Sequence, residues 1–533
     1  MSPPDVSVIV PVYNTMPYLT RCLTSLLEQT IGLDRLQVVA VDDGSTDRSG
    51  RELDRFERRW PDVVTVIHQA NSGGPAAPCN RALDVATGRY VFFVGADDYL
   101  GSDALRRLVD AADRYGSDVV LGKVVGVNSR FIEQDIFART ETDIGLFDSP
   151  LPRSLANTKL FRRELIERYG IRYPEQMPTG SDQPFTLAAC YRARRISVLA
   201  DYDFYFAVRR HNATNITSLS RHVERLELAG HLMTYATELI EPGKERAAML
   251  AHYFDHNVAK LLEDDFLGLD HDTQQRVHAG VGRLAAEHLT DEIAERLGAE
   301  TRIRIGLTRH GQLADLVAAI GQDATTGVPA TLVEDGRWYA CYPGFREPGR
   351  SLPDSCFDVT TAAGWTAKLD ATALAWQTGD RGEAVLTITA HTPLPGDTPL
   401  PDDTPLPGAA PGAAPLAVSA EEIPAEVSTV SEGPAGTTLR IRFGVSELLA
   451  RSNPTGQRRI VSARTGTDAP ATALRAPRLG GIAPLVRRRG ARLYVITPVR
   501  DVSGRLMISV VPFTPSRIAA YLRRVTRRWT ASG

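Results

Sequence analysis

The chain has 533 residues, 43% of them hydrophobic and 23% charged, with a formal charge of −3. That length exceeds what one hydrophobic core usually supports, so two to four domains are expected, and the composition excludes a disordered or fibrous protein. The near-neutral balance argues against a general nucleic-acid binder, and no nucleic acid is expected as a partner. Up to about residue 125, short β-branched runs alternate with helical periodicity. Residues 6–10, 38–41, 63–67, 90–94 and 119–121 read as buried strands, and 18–28, 47–59, 75–86 and 103–115 as helices. Asp47 and Ser102 are the expected N-caps, and Gly32, Gly88 and Gly116 stand where helices should stop. Repeated strand–helix units imply a mostly parallel, Rossmann-like α/β sheet with ligands at the carboxyl ends of its strands.

An aromatic strand is expected at 202–206, followed by a basic run at 208–217. The pattern then turns helical, with helices expected at 222–238, 245–262 and 272–289. Strand-like segments at 337–342, 365–374, 384–391, 438–443 and 493–499 suggest a C-terminal β-sandwich. The expected layout is an α/β domain over 1–220, a helical connector over 221–322, the β-domain over 323–512 and a tail over 513–533. Low-complexity sequence at 392–415, with its near-repeat DTPLP, reads as an exposed loop. In the tail, Ile518, Leu522, Val525 and Trp529 fall on one helical stripe bordered by five arginines. Residues 515–529 therefore suit either peripheral contact with an anionic membrane or packing on the protein or a neighbouring subunit.

No apolar run reaches about 18 residues, so no spanning helix is expected. Ser2-Pro3-Pro4-Asp5 lacks the basic region of a secretory signal. The five scattered cysteines form no CxxC pair, and reduced thiols in the cytoplasm fit them best.

Three polar clusters end the first, second and fourth expected strands: Pro11-Val12-Tyr13-Asn14, Asp42 to Asp47, and Gly95-Ala96-Asp97-Asp98. All emerge on one sheet edge. Asp43 has the chemistry to accept the imide N–H of a uracil, and Tyr13 has a ring to cover the base. Asp97 suits a hard divalent cation held against a diphosphate. Each residue taken alone is also an ordinary turn or helix-capping residue.

Taken in order, VSVIVPVYN, CLTSLLEQT, VVAVDDGSTD and NSGGPAAPCNRALDVATGRYVFFVGADDYL resemble the family-2 glycosyltransferases, which have the GT-A fold. The likeness runs through roughly the first 100 residues and continues more weakly to about 220. It implies inverting transfer of a sugar from a nucleotide diphosphate donor, with Mn²⁺ or Mg²⁺ as cofactor. By this resemblance Pro11, Val12, Tyr13, Asn14 and Asp43 face the uridine. Asn71, Gly73, Gly74 and Asn80 border the diphosphate and sugar, Ala96 adjoins the donor, and Asp97 holds the metal. Asp182, within Thr179-Gly180-Ser181-Asp182-Gln183-Pro184-Phe185, matches the catalytic base, with Ser181 replacing the usual glutamate. His211, in the basic run, matches a histidine that joins the metal.

Two departures stand out. Gly95 occupies the first aspartate position of the metal motif, and Cys79 replaces an arginine before Asn80. Asp98 and Arg81 are the neighbours with the chemistry to compensate. GGPAAP, SDQPF and the domain layout further resemble the poly(ribitol phosphate) glycosyltransferases that decorate wall teichoic acid. That likeness implies a UDP-sugar donor, UDP-N-acetylglucosamine first, and a polyol-phosphate or polysaccharide acceptor. It also implies a homo-oligomer, a trimer by analogy, working at the cytoplasmic face of the membrane. The alternatives are a catalytically weakened carbohydrate-binding or assembly protein, and transfer to another polysaccharide or a lipid-linked acceptor.

Overall fold

The structure is a computed structural model. It describes residues 3–513 apart from 129, 131, 211–221, 326–328, 350–351, 361–368, 380–381, 393–415, 434–435, 453–456, 466–470, 477–481 and 501–504. The chain divides into two compact units, Met1–Leu261 and Leu262–Gly533. His211, most of the low-complexity loop and the amphipathic stripe of the tail lie outside the described residues. Among the described residues no helix is long and apolar enough to cross a membrane.

In the N-terminal unit the strands are β1 (Val6–Val12), β2 (Leu36–Asp43), β3 (Val64–Gln69), β4 (Tyr90–Phe93), β5 (Tyr99–Leu100), β6 (Val119–Gly122), β7 (Val124–Val127), β8 (Lys159–Arg162), β9 (Ile196–Leu199) and β10 (Tyr205–Val208). Seven of them form one sheet in the order β3-β2-β1-β4-β8-β6-β9. Pairing is parallel from β3 to β4 and between β6 and β9, while β8 runs antiparallel to both neighbours. A smaller sheet, β5-β10-β7, follows the loop after β4. Six of seven β1 residues are buried, as expected for a strand covered on both faces.

The helices here are α1 (Tyr18–Leu27), α2 (Ser49–Arg59), α3 (Ala76–Leu83), α4 (Ala104–Tyr115), α5 (Arg163–Arg168), α6 (Asp182–Arg192), α7 (His222–Leu239) and α8 (Lys244–Tyr253). Gly116 ends α4 in the left-handed region, at φ +67°. The expected N-caps differ. Residues Arg48 and Asp103 occupy the cap positions of α2 and α4, and neither cap makes a side-chain hydrogen bond. Asp47 instead accepts the N–H groups of Met16 and Ser49, so a long-range bond to the loop before α1 takes part of its capacity. The helix expected to run to 262 stops at Tyr253 and continues as a π turn over Phe254–Val258 and a 3₁₀ turn over Ala259–Leu262. The aromatic strand also starts later than expected, at Tyr205, and ahead of it Tyr202 and Phe204 pack edge to face.

The C-terminal unit opens with α9 (His271–His288), α10 (Asp291–Arg296), α11 (Ala299–His310) and α12 (Leu313–Thr325). Asp270 and Thr290 cap α9 and α10 through their side chains. Among the described residues a short antiparallel pair, Thr331–Glu334 with Arg337–Ala340, and two larger antiparallel sheets follow, one centred on Ala384–Thr392 and Gly436–Gly444, the other on Gln457–Thr465 and Leu506–Pro512. Leu386, Ile388 and Phe443 from the first share one apolar core with Val461, Tyr494 and Ile508 from the second. This is the expected sandwich-like packing of two inner faces. The strand expected from 365 is seen as Asp370–Thr378.

Candidate functional site

The loops after β1, β2, β3 and β4 are tied to one another by side chains. Asn14, at φ +49°, accepts the N–H groups of Thr46 at 2.8 Å and Asp47 at 3.2 Å through Oδ1. Its own N–H donates to Ser45 Oγ. Asn14 thus staples the β1 loop to the β2 loop, while Tyr13 beside it stands 48% exposed, a ring open to a ligand.

Asp42 accepts the Ser45 N–H and pairs with His68. The buried Asp43 accepts Gln69 Nε2 at 2.7 Å, the Ser72 N–H at 3.1 Å and Ser72 Oγ at 2.9 Å. Its carboxylate therefore shapes the loop after β3, and a uracil imide would have to share it. Asn71 braces the same loop, donating to the Asp43 carbonyl and accepting the Gly73 N–H. Gly44, at φ +72°, is required here, because a Cβ would lie 2.7 Å from Asn71 N. Gly74 presses on the neighbourhood of the candidate base: a Cβ there would lie 2.9 Å from the Pro178 carbonyl oxygen.

Beyond β4, Ala96 is buried and the half-buried Asp97 accepts Arg210 Nε at 2.7 Å. Arg210 also reaches the Asn14 carbonyl at 3.4 Å, joining the first and fourth strand ends. From the basic run alone, Arg210 suits a segment closing over a diphosphate and a solvated charge equally. Its position in the basic run, next to His211, was the one available signal. Asp98 turns inward, accepting Tyr205 O–H at 2.6 Å and the Val208 N–H at 2.7 Å. Burial, and then the Asp97 charge, push its carboxyl well above the usual range. Asp98 therefore anchors β10 and does not supply the carboxylate missing at Gly95. Arg81 does not compensate for Cys79 either. Cys79 is 1% exposed and packs near Tyr173, whereas Arg81, two positions on, lies on another helix face in solvent.

Asp182 starts α6 and does not cap it; the N-cap is Ser181. Burial raises the pKa of its carboxyl, against the opposing pull of nearby backbone N–H groups and of the Lys159 charge. The helix is seated by an aromatic cluster, with Phe185 stacked on Tyr173 at 4.3 Å and edge-on to Phe93 at 5.2 Å. Asn80 clamps the approach to it, bonding Tyr173 N and O and Glu175 Oε1, each at 2.9 Å. Asn80 thus meets the chain ahead of the base, while Pro11 and Val12 lie within β1.

Among the described residues no group of three or more His, Cys, Asp or Glu side chains forms a metal cluster. Asp97 is the carboxylate of its loop that bonds away from β10. One carboxylate with substrate phosphates is an ordinary way to hold Mg²⁺, so Asp97 fits a cation shared with a diphosphate, and Arg210 balances its charge otherwise.

Comparison with known proteins identifies the domain that carries these strand ends. Residues 7–199 match the family model "Glycosyl transferase family 2", and 228–320 match "Glycosyl transferase TarS linker domain". The chain is 39% identical over 205 residues to a poly(ribitol-phosphate) beta-glucosyltransferase of Bacillus spizizenii, covering 38% of this chain and 32% of the relative. It is 38% identical over 204 residues to the poly(ribitol-phosphate) beta-N-acetylglucosaminyltransferase TarS of Staphylococcus aureus, covering 38% of this chain and 35% of TarS. The matched stretch thus spans about a third of each relative's length. A crystal structure of S. aureus TarS 1–349 with UDP-GlcNAc superposes with a TM-score of 0.58 at 27% identity, covering 65% of this chain and 98% of the other. The N-terminal domain, with its Rossmann-like sheet and carboxylate-bearing strand ends, belongs to glycosyltransferase family 2 and has the GT-A fold.

Proposed function

We propose that this protein transfers a sugar, N-acetylglucosamine first, from a UDP-sugar to a hydroxyl of a polyol-phosphate polymer such as wall teichoic acid, with inversion. The observation that carries the proposal is Asp182, a half-buried carboxylate of raised pKa at the start of α6, a few residues beyond the Pro178 that packs against Gly74 in the loop after β3. A general base works best with a pKa near the operating pH, and burial moves Asp182 that way. Relatives named for poly(ribitol-phosphate) transfer, and a related structure holding UDP-GlcNAc, supply the donor and acceptor classes.

In this reading Tyr13 covers the uracil, and the loop held by Asp43 and Asn71 borders the diphosphate, with Gly73 and Gly74 leaving room for it. Asp97, joined by His211, would hold a divalent cation, which would supply positive charge against the departing diphosphate. Arg210 faces the same charge. Asp182 takes the acceptor hydroxyl proton as that oxygen attacks the anomeric carbon. Assembly as a homo-oligomer and work beside the membrane, through 515–529, belong to the same proposal.

The test is UDP release from UDP-N-acetylglucosamine with Mn²⁺ and a ribitol-phosphate oligomer. Metal-stimulated release that Asp97→Ala abolishes is expected. Tighter binding of guanosine than of uridine diphosphate overturns the donor assignment. The Asp97–Arg210 pair and Gly95 favour a second reading, a binding protein without turnover. Tight UDP binding with no release from any UDP-sugar would establish it.

A further inference from the structure

From Ala471 to Gly533 the sequence holds thirteen arginines, no lysine and one acid, Asp501, in a chain whose formal charge is −3. Such local asymmetry marks a surface that meets something anionic. Part of this stretch forms the strands Leu485–Arg489, Arg492–Arg500 and Leu506–Pro512, the last paired with Gln457–Thr465 in one antiparallel sheet. Alternation divides their side chains between two faces. Tyr494, Ile496, Leu506, Ile508 and Val510 enter the apolar core, so Leu493, Val495, Met507 and Val511 stand on the opposite face. The register adds Val486, across from Val495, and Arg488, across from Leu493. Arg458 joins them across from Ser509.

Val486 is 42% exposed and Leu493 45%, and Phe513, whose N–H donates to the Leu493 carbonyl, is 43% exposed. Arg458 and Arg488 are exposed on the same face, and among the described residues neither makes an ion pair. Arg489, by contrast, donates to the Leu449 and Ser452 carbonyls and serves the fold. A soluble polyanion would use the arginines and leave the apolar side chains wet. A second copy presenting this same face would set arginine against arginine. A bilayer with anionic head groups satisfies both kinds of side chain.

We propose that this sheet face docks on an anionic bilayer, with Arg458 and Arg488 meeting lipid phosphates and Val486, Leu493 and Phe513 entering the headgroup boundary. The arginine-bearing tail continues from Phe513, at this end of the sheet. The inference extends the membrane-side placement proposed for 515–529 to folded residues, and it does not depend on the transfer reading.

The test co-sediments the full chain with vesicles of phosphatidylglycerol and phosphatidylcholine in equal parts, and with phosphatidylcholine alone. Binding to the mixed vesicles alone, weakening as salt rises, is expected. Arg458→Gln with Arg488→Gln should lower the affinity roughly 30-fold, each arginine near an anionic leaflet being worth about fivefold. Val486→Ser with Leu493→Ser should lower it roughly tenfold, and by the same factor at every salt concentration, because apolar burial is not screened. All four side chains are exposed, so the unfolding midpoint should stay put. Arg488→Gln alone carries the test should a pair fail to fold. Parent-like vesicle binding by both pairs overturns the proposal, including where glutamine at the tail arginines abolishes binding. If the serine pair breaks an oligomer in analytical ultracentrifugation, the face is a subunit contact. If the serine pair binds vesicles like the parent while the glutamine pair loses vesicles and soluble polyphosphate alike, it is a polyanion site. Either result overturns the bilayer assignment, and because turnover is not measured, the transfer reading stands or falls separately.

Discussion

Each unit of this protein buries charge, and the two units do it differently. In the C-terminal unit Arg304 and Asp323, 8% and 2% exposed, form an ion pair at 2.6 Å. Arg304 also donates to the Leu262 carbonyl at 2.6 Å, and Tyr342 O–H donates to the other Asp323 oxygen at 2.7 Å. Burial opposes the guanidinium charge, and Asp323, Glu300 and Tyr342 together more than offset it, so its pKa lies above the ordinary value. In the N-terminal unit Asp118 is likewise paired, with Arg162 and Arg194, but Lys159 bonds to carbonyls, Asp98 is held by N–H and O–H donors, and the carboxyl pKa values of Asp98 and Asp182 lie above normal. A charge closed by its partner serves the scaffold. A carboxyl raised in pKa by burial is instead a candidate for proton transfer, the role proposed for Asp182.

Removing a partner from each network sharpens that contrast. Asp323→Ala leaves a guanidinium buried without its counter-ion and should destabilise the protein by about 3–5 kcal/mol. Denaturant unfolding checks this, and a loss below about 1 kcal/mol would break the comparison.

Asp182→Asn should act on rate and leave stability nearly alone. A fall in kcat of about 10²-fold, or about 2.7 kcal/mol in barrier, is expected with UDP affinity little changed. In the parent protein kcat should fall as pH drops through the raised Asp182 pKa, above the ordinary carboxylate range, because only the ionised form accepts a proton. Turnover within a few-fold of the parent would remove Asp182 from the chemistry.

Gly95→Asp tests whether this region tolerates another carboxylate. A Cβ at Gly95 would lie 2.9 Å from Asp98 Oδ2 and 3.3 Å from Asp97 Oδ1. Crowding and like charge should cost about 1–3 kcal/mol of stability, with no gain in UDP affinity. Tighter UDP binding with Mn²⁺, measured by calorimetry, would show that the loop adapts.

The smallest effect belongs to Tyr13→Ala. Its exposed ring makes little difference to folding, while loss of stacking should weaken UDP by about tenfold, within the range known for base–aromatic contacts. Unchanged affinity would place the base elsewhere.

Local order was legible in the sequence, because periodicity and turn chemistry are properties of neighbouring residues. The alternation of buried runs and helical stripes located β1, β2, β4 and α4 closely, and Gly116 marked a helix end through its freedom at positive φ. The strand-end positions of Tyr13, Asp43 and Asp97 followed from the same local pattern, as did Asp182 at the start of α6. Which partner each polar group takes was decided only in three dimensions. Asp97 meets Arg210 from 113 positions away, and Asn80 meets Tyr173 from 93. Asp47 bonds back to Met16 as well as to Ser49, and Asp98 faces β10 where its neighbour faces the site. A buried donor or acceptor must find a partner wherever the fold brings one, and that demand is indifferent to distance along the chain.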